Sequence, residues 1–451
     1  MGEIHPPEGV FVRRCLQAWQ RGTAISVADI PETASFEWEA VLEFTSQHSV
    51  GPQVAAAIHD TAPEQPLTAG STAPATSQST ATLESSTESG TGPTTVPERA
   101  GVTPVSEQIP DWVIDRLRER RAFVARRNLQ QFQELASLSA TFQATGIRAI
   151  PYRGPVMAQV GYGDVGQREF GDLDFLVDRE EIPVIKSILL EHGYEPAYVL
   201  DSTEELTVAQ ERWYRRFGRE YTFRHTDSEI EVELHWRVLA RRFPTGFTLE
   251  SVWDRRDQLT IAGTSVPVLS QEDRLLLCCV HGTRHRWERL HWWCDVARCL
   301  DLEDVTLDWD AIVRRARAQN CERQFLVGLA VVDSLFGLAL PDWIERMIED
   351  DPALEGLSRH VDARLFDETP YWLLDERQYQ ARTLDRPRER VAFWLSWLCS
   401  PNRSDIEAIA IPWPLTPLYH LVRPIRLASG ILERFRPGSR PPTELRWSDN
   451  E

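Results

Sequence analysis

Apolar residues along this chain change rhythm several times, and each change predicts an element. From Gly9 to about Asp60 the spacing is helical, with Phe36, Trp38, Val41, Leu42 and Phe44 closely grouped. Ala122, Ala125, Leu129, Phe132, Leu135, Leu138 and Phe142 then recur in steps of three and four, which predicts one long helix stopping near Gly146. Ile147 to Tyr152 reads as a short strand, and Gly154-Pro155 as a helix start with proline at the first helical position. A strand over 173–178 and a helix from about Glu180 to His192 follow, closed by Gly193. Tyr221–His225 and Ile230–Arg237 form a predicted hairpin around Thr226-Asp227-Ser228. Leu259–Ile261 and Val266–Leu269 form a second around Ala262-Gly263-Thr264. From Gln271 to about Phe435 the pattern is of successive helices rich in Trp and Leu, with Trp394 and Trp397 as core.

Between 61 and 106 the periodicity vanishes. Runs such as Ser71-Thr72-Ala73-Pro74 and Ser85-Ser86-Thr87 carry almost no large apolar groups, so they bury too little surface to offset their ordering entropy. The predicted organisation is a helical region over 1–60, a disordered insertion over 61–106 and a mixed core with its leading helix over 107–270. A C-terminal helical region over 271–440 and a disordered tail over 441–451 complete it. The fold class is α+β: a small mixed sheet flanked by helical regions.

At 451 residues the chain is long enough for two or three packed units. Its net charge of -19 argues against a broad surface for bulk nucleic acid or anionic lipid. Arginine supplies nearly all the positive charge, Lys186 being the single lysine. The N-terminus has no basic start with an apolar core, and no uncharged run approaches the ~18 residues of a membrane span. Seven scattered cysteines without C-x-x-C pairs fit reduced thiols and a cytoplasmic location.

The chemistry concentrates at Gly171-Asp172-Leu173-Asp174-Phe175-Leu176-Val177. Strand side chains alternate between faces, so Asp172 and Asp174 project together while Leu173 and Phe175 face a core. Two adjacent carboxylates repel unless a cation or proton lies between them, and oxygen-only ligation suits Mg²⁺ or Mn²⁺. In Glu231-Val232-Glu233-Leu234-His235-Trp236, Glu231, Glu233 and His235 share a face, offering a third carboxylate that ligates metal and draws a proton from an attacking hydroxyl. At Arg153-Gly154-Pro155 a glycine lets backbone approach a phosphate, and Arg153 and Arg168 are candidates to grip phosphate oxygens.

These residues, in this order, resemble the nucleotidyltransferase superfamily with the DNA polymerase beta-like fold. More closely, they resemble an uncharacterised bacterial and archaeal family within it. Arg153-Gly154, Arg168, Asp172 to Val177, Gly193-Tyr194 and Glu233-Leu234-His235-Trp236 carry the likeness. Phe36-Glu37-Trp38 with His48, Glu272-Asp273 to His281-Gly282, and Arg289 to Ala297 extend it outward. Arg153 stands where that family usually has lysine, Glu233 where Asp is commoner, and Pro155 removes an N–H. The resemblance implies Mg²⁺-dependent transfer of a nucleoside monophosphate from an NTP such as ATP to an acceptor hydroxyl, with pyrophosphate released. It implies Asp172, Asp174 and Glu233 as catalytic metal ligands, with Arg153, Gly154, Arg168 and His235 at the nucleotide. The acceptor class stays open: a small molecule, sugar, peptide or protein.

Plainer readings compete. The Asp pair could cap a strand, and Glu231 and Glu233 could form a solvated face, with Glu231 a rival for the third acid. Arg153 and Arg168 could pair structurally with Asp172 or Asp174. The protein could keep the fold and bind nucleotide without turnover. His281, His285 and His291 with Cys294 suggest zinc, but their spacing matches no standard structural pattern, and helix packing is preferred. Leu418 to Arg436 is basic and amphipathic, and a solvated helix face is its default.

Overall fold

The computed structural model describes residues 5–58, 108–197, 215–216, 218–301, 306–366, 373–401, 405, 409 and 411–434. The predicted insertion over 61–106 and the tail over 441–451 lie outside the described residues. Three helices open the fold: α1 (Pro7–Gln20), α2 (Trp38–Gln47) and α3 (Gly51–Ile58). The predicted long helix is α4 (Asp111–Ala144), which buries Val124, Phe132, Leu135, Leu138 and Phe142 along one stripe. Gly146, in the left-handed region at φ +75°, turns the chain out of it.

Next come β1 (Ala149–Pro151), α5 (Gly154–Met157), β2 (Asp172–Val177), α6 (Ile182–Glu191), β3 (Tyr194–Pro196), β4 (Glu220–His225) and β5 (Glu231–His235). They build one five-stranded mixed sheet in the order β1-β2-β5-β4-β3, in which β2 and β5 run parallel and the other neighbours antiparallel. After α7 (Leu249–Trp253), β6 (Asp257–Ile261) and β7 (Thr264–Val268) form the second predicted hairpin. Its two-residue turn places Ala262 and Gly263 at positive φ, the twist that joins strands tightly.

The C-terminal helices begin with α8 (Gln271–Arg284), α9 (Leu290–Leu300), α10 (Trp309–Ala318) and α11 (Glu322–Phe336). They continue as α12 (Asp342–Glu349), α13 (Pro352–Arg364), α14 (Leu373–Arg382), α15 (Pro387–Cys399) and α16 (Tyr419–Arg434). Among the described residues no helix is long and apolar enough to cross a membrane.

Two cores hold the layers. Leu173, Phe175 and Val177 of β2 and Val232 and Leu234 of β5 pack on Phe132, Leu135 and Phe142 of α4 and on Ile185 and Leu189 of α6. The opposite sheet face looks toward a larger core in which α1 and α3 share apolar contacts with α8, α9 and α11. The N- and C-terminal helical regions, separate in sequence, therefore form one body. That shared body covers the carboxylate face of the sheet.

Candidate active site

Strand alternation sends Asp172 and Asp174 to the face opposite Leu173 and Phe175. The parallel register then sets Asp172 beside Glu231 and Asp174 beside Glu233. Oxygen or nitrogen atoms of Asp174, Glu233 and His235 lie within 4.8 Å of one another, the one such metal-ligating group among the described residues. Asp172 is not in that tight group but lines the same cavity, as Asp174 and Glu233 do. Glu231, the rival third acid, accepts a hydrogen bond from Arg224 Nε (3.1 Å) on the neighbouring strand. It does not line the cavity.

The acids are held by buried cations. Arg153 Nη2 donates to Asp174 Oδ1 at 2.8 Å, and His235 Nε2 donates to the same oxygen at 2.7 Å. Both donors engage Oδ1. His235 Nε2 also lies 3.0 Å from Glu233 Oε2, and its Nδ1 lies 3.1 Å from Glu220 Oε2. Burial alone would lower the His235 pKa, but Tyr152 and the bonded Asp174, Glu220 and Glu233 carboxylates hold it well above the usual value. Burial alone would raise Asp174, yet Arg153 and His235 keep its carboxyl below the ordinary range. For Asp172 the pull of the same Arg153 and His235 is too weak to do so. Burial first, then repulsion from Asp174 and Glu233, push it up to about 7. A carboxylate set that raises one of its own members in this way suits a hard divalent cation.

The helix α4 positions the approach to β2. Asn128 Nδ2 donates to Arg168 O (2.8 Å), while Gln131 Nε2 and Arg127 Nη2 donate to Gly171 O (3.0 and 3.1 Å). Gln53 and Trp19, from the N-terminal helices, reach Gln167 in the same loop. Gly154 sits at φ +44°, and an added Cβ would come 3.1 Å from Asp172 O. The glycine thus permits close packing of the α5 start against the first site acid.

Arg168 lines the cavity, but it does not take the pairing with Asp172 or Asp174 that the sequence allowed. Its Nε and Nη2 donate to Asp295 Oδ1 and Oδ2, both at 2.7 Å, and Tyr162 Oη donates to the same carboxylate at 2.8 Å. This is a bidentate buried pair joining the loop before β2 to α9. Arg153 does form the salt bridge with Asp174 that sequence reasoning allows.

Helices α8 and α9 supply the facing wall of the cavity, whose volume is about 360 Å³. Arg284, His285, Arg289 and Trp292 line it together with His281, which accepts a hydrogen bond from Arg153 Nη1 at Nδ1 (2.8 Å). His281, His285 and His291 do not form a metal-ligating group among the described residues, and their rings pack around Trp292 of α9. His48, in the turn between α2 and α3, caps α9: its carbonyl accepts from His291 N (3.3 Å) and its Nδ1 from Leu290 N (3.4 Å). Sequence reasoning misses Glu220, Arg219 and Arg284. Only the alternation of β4 carries a signal for Glu220, because burial at the start of a strand is not visible in a single carboxylate.

An acid-faced mixed sheet is thus opposed by an arginine-rich helical wall. Residues 34–337 match the family described as uncharacterised nucleotidyltransferase, and the chain belongs to it. No curated protein matches the chain. Among solved structures, the chain is similar to an antigenic nucleotidyltransferase-like protein from Paracoccidioides brasiliensis. The identity is 15%, the TM-score is 0.28, and the match covers 51% of this chain and 91% of that one.

Proposed function

We propose that this protein is a Mg²⁺-dependent nucleotidyltransferase that moves a nucleoside monophosphate from an NTP to an acceptor hydroxyl. One observation carries the reading: Asp172, Asp174 and Glu233, on adjacent parallel strands, face one cavity walled by arginines. The three carboxylates would hold Mg²⁺ or Mn²⁺. A bound cation of this kind neutralises phosphoryl oxygens and acidifies a ligated hydroxyl. His235 and Glu220 fix the orientation of Asp174 and Glu233. Glu233 accepts the proton of the acceptor hydroxyl as its oxygen attacks the α-phosphorus. The bond from that phosphorus to the bridging oxygen breaks, and pyrophosphate leaves with the electron pair. Arginines of the facing wall hold the phosphates, so catalysis is positioning plus charge neutralisation. The acceptor is a small molecule, sugar, peptide or protein; the acidic chain disfavours bulk nucleic acid.

The test is incubation of the protein with Mg²⁺ and α-³²P- or γ-³²P-labelled NTPs in cell extract. Transfer of the α label to an acceptor, with the γ label recovered in pyrophosphate, is expected. A second reading has its own observation: Arg153 and His235 already neutralise Asp174 without a cation, as in a binding protein that has lost turnover. Nucleotide binding with no label transferred would establish it.

The raised Asp172 makes a linked prediction. A carboxyl lifted from an unfolded value near ~4 contributes stability fully when protonated, and loses it as pH rises through about 7. Without metal, the thermal midpoint of the native protein should therefore fall relative to Asp172→Asn between pH 5 and 8. Added Mg²⁺ should close the gap at pH 8 and do little at pH 5. A difference that stays flat with pH would refute repulsion as the cause.

A further inference from the structure

Helix α9 carries one aromatic side chain whose position the phosphate chemistry does not explain. Trp292 is only partly buried, yet it lines a cavity otherwise dominated by charged groups. Three imidazoles surround it: ring centroids of His281, His285 and His291 lie 5.3, 5.2 and 5.2 Å from the indole. Burial and neighbouring arginines lower all three histidines, so their rings are neutral near pH 7. A neutral imidazole offers one donor and one acceptor and adds no charge.

The turn that delivers this wall is itself held in an unusual conformation. Arg286 and Trp287 both adopt positive φ, at +57° and +58°, a rare state for bulky residues. Trp287 is fully buried, and its ring fills the space over Gly282, where any Cβ would lie 2.5 Å from it. Its indole Nε1 donates to Thr283 Oγ1 at 3.2 Å. Strain of this kind persists where the surroundings fix it, and it clusters at ligand sites. Here it fixes the start of α9 and so the place of Trp292.

Trp292 lines the same cavity as Asp172, Asp174 and Glu233. Asp174 is bonded to Arg153, Arg153 to His281, and the His281 ring meets Trp292. One guanidinium and one imidazole thus link the carboxylates to the indole within the cavity that all of them line. We infer that Trp292 is the stacking platform for the nucleobase of the bound nucleotide. This rests on the nucleotide reading above and deepens it: beside the arginines that hold the phosphates, the same wall recognises a planar heterocycle.

Binding separates the two ideas without any need for turnover. The full chain, in Mg²⁺, is titrated by calorimetry with an ATP analogue that cannot be cleaved between the α- and β-phosphates, and separately with inorganic tripolyphosphate. Trp292→Leu should weaken the analogue about tenfold, ~1.4 kcal/mol, while tripolyphosphate changes by less than about twofold. Trp292→Phe, which keeps an aromatic face, should recover most of the loss. Equal weakening of both ligands, no weakening of the analogue, or failure of Phe to recover it would each overturn the stacking role. If the native protein binds neither ligand, the nucleotide reading itself falls, and this subsite with it.

Discussion

Asp172→Asn should reduce nucleotide transfer by about 10³-fold or more, ~4 kcal/mol in the barrier, while leaving the fold at least as stable as before. The two effects separate because of where this carboxylate sits. Asp174 is tied to Arg153 and His235, but Asp172 is raised by burial and by repulsion from Asp174 and Glu233. A neutral amide of the same shape relieves that repulsion in the metal-free protein and removes a cation ligand. Asp174→Asn should lose transfer to a similar extent but also lower the thermal midpoint, since Arg153 and His235 would face a neutral group. The measurement is label transfer from α-³²P-NTP beside thermal unfolding for both variants. An Asp172→Asn protein that keeps half its activity would remove Asp172 from the reaction. One that loses activity and stability together would make its role structural.

Much of this arrangement is legible in the amino-acid sequence itself. Alternation over Asp172–Val177 and Glu231–His235 assigns faces correctly, because a strand's period of two leaves little freedom once Leu173, Phe175, Val232 and Leu234 must enter a core. The long helix α4 is legible for the same reason, its apolar stripe running at helical spacing from Ala122 to Phe142. What the pattern does not contain is partnership across the fold. Arg168 looks like a phosphate contact beside an Asp pair, but its guanidinium is claimed by Asp295, more than a hundred residues away on α9. Periodicity marks which face of α9 is buried; it does not say that a carboxylate on that face meets an arginine from the loop before β2. Glu220 is hidden likewise: an acid at a strand start is usually solvated, and only the pairing of Glu220 with His235 in the β4–β5 register makes it part of the site.

The helical regions show a related limit. Their amphipathic spacing predicts helices, and the resemblance draws in His48 and the segment from Arg289 to Ala297, but neither says that the two regions meet. In the fold His48 caps α9, so residues from the first turn-connected helices help place Trp292 and Arg289 over the sheet. The site is therefore three-sided: β2 and β5 supply carboxylates, α4 and the N-terminal helices fix the loop before β2, and α8–α9 close the cavity. Mutations in α1 or α3 should then alter activity without touching a reacting group.

The largest loss of stability is expected at the joint between these parts. Asp295→Asn leaves the Arg168 guanidinium buried, 4% exposed, with its full charge and no carboxylate. Burial penalises that charge heavily, and Asp295 together with its two hydrogen bonds is what compensates it. Breaking one side of such a pair costs about 3–5 kcal/mol, because the remaining ion is stranded in a medium of low polarity. The Tyr162 hydroxyl loses its charged acceptor as well. Replacing both partners at once, Arg168→Met with Asp295→Leu, removes the stranded charge and should recover most of the stability. Urea unfolding of the two single variants and the double variant measures the coupling. The same proteins decide what Arg168 does for the nucleotide: a purely structural role predicts that the double variant, once folded, binds tripolyphosphate nearly as well as the native chain. If Asp295→Asn unfolds with the native midpoint, the pair is not a joint, and Arg168 returns to the phosphate role that its place in the cavity wall would permit.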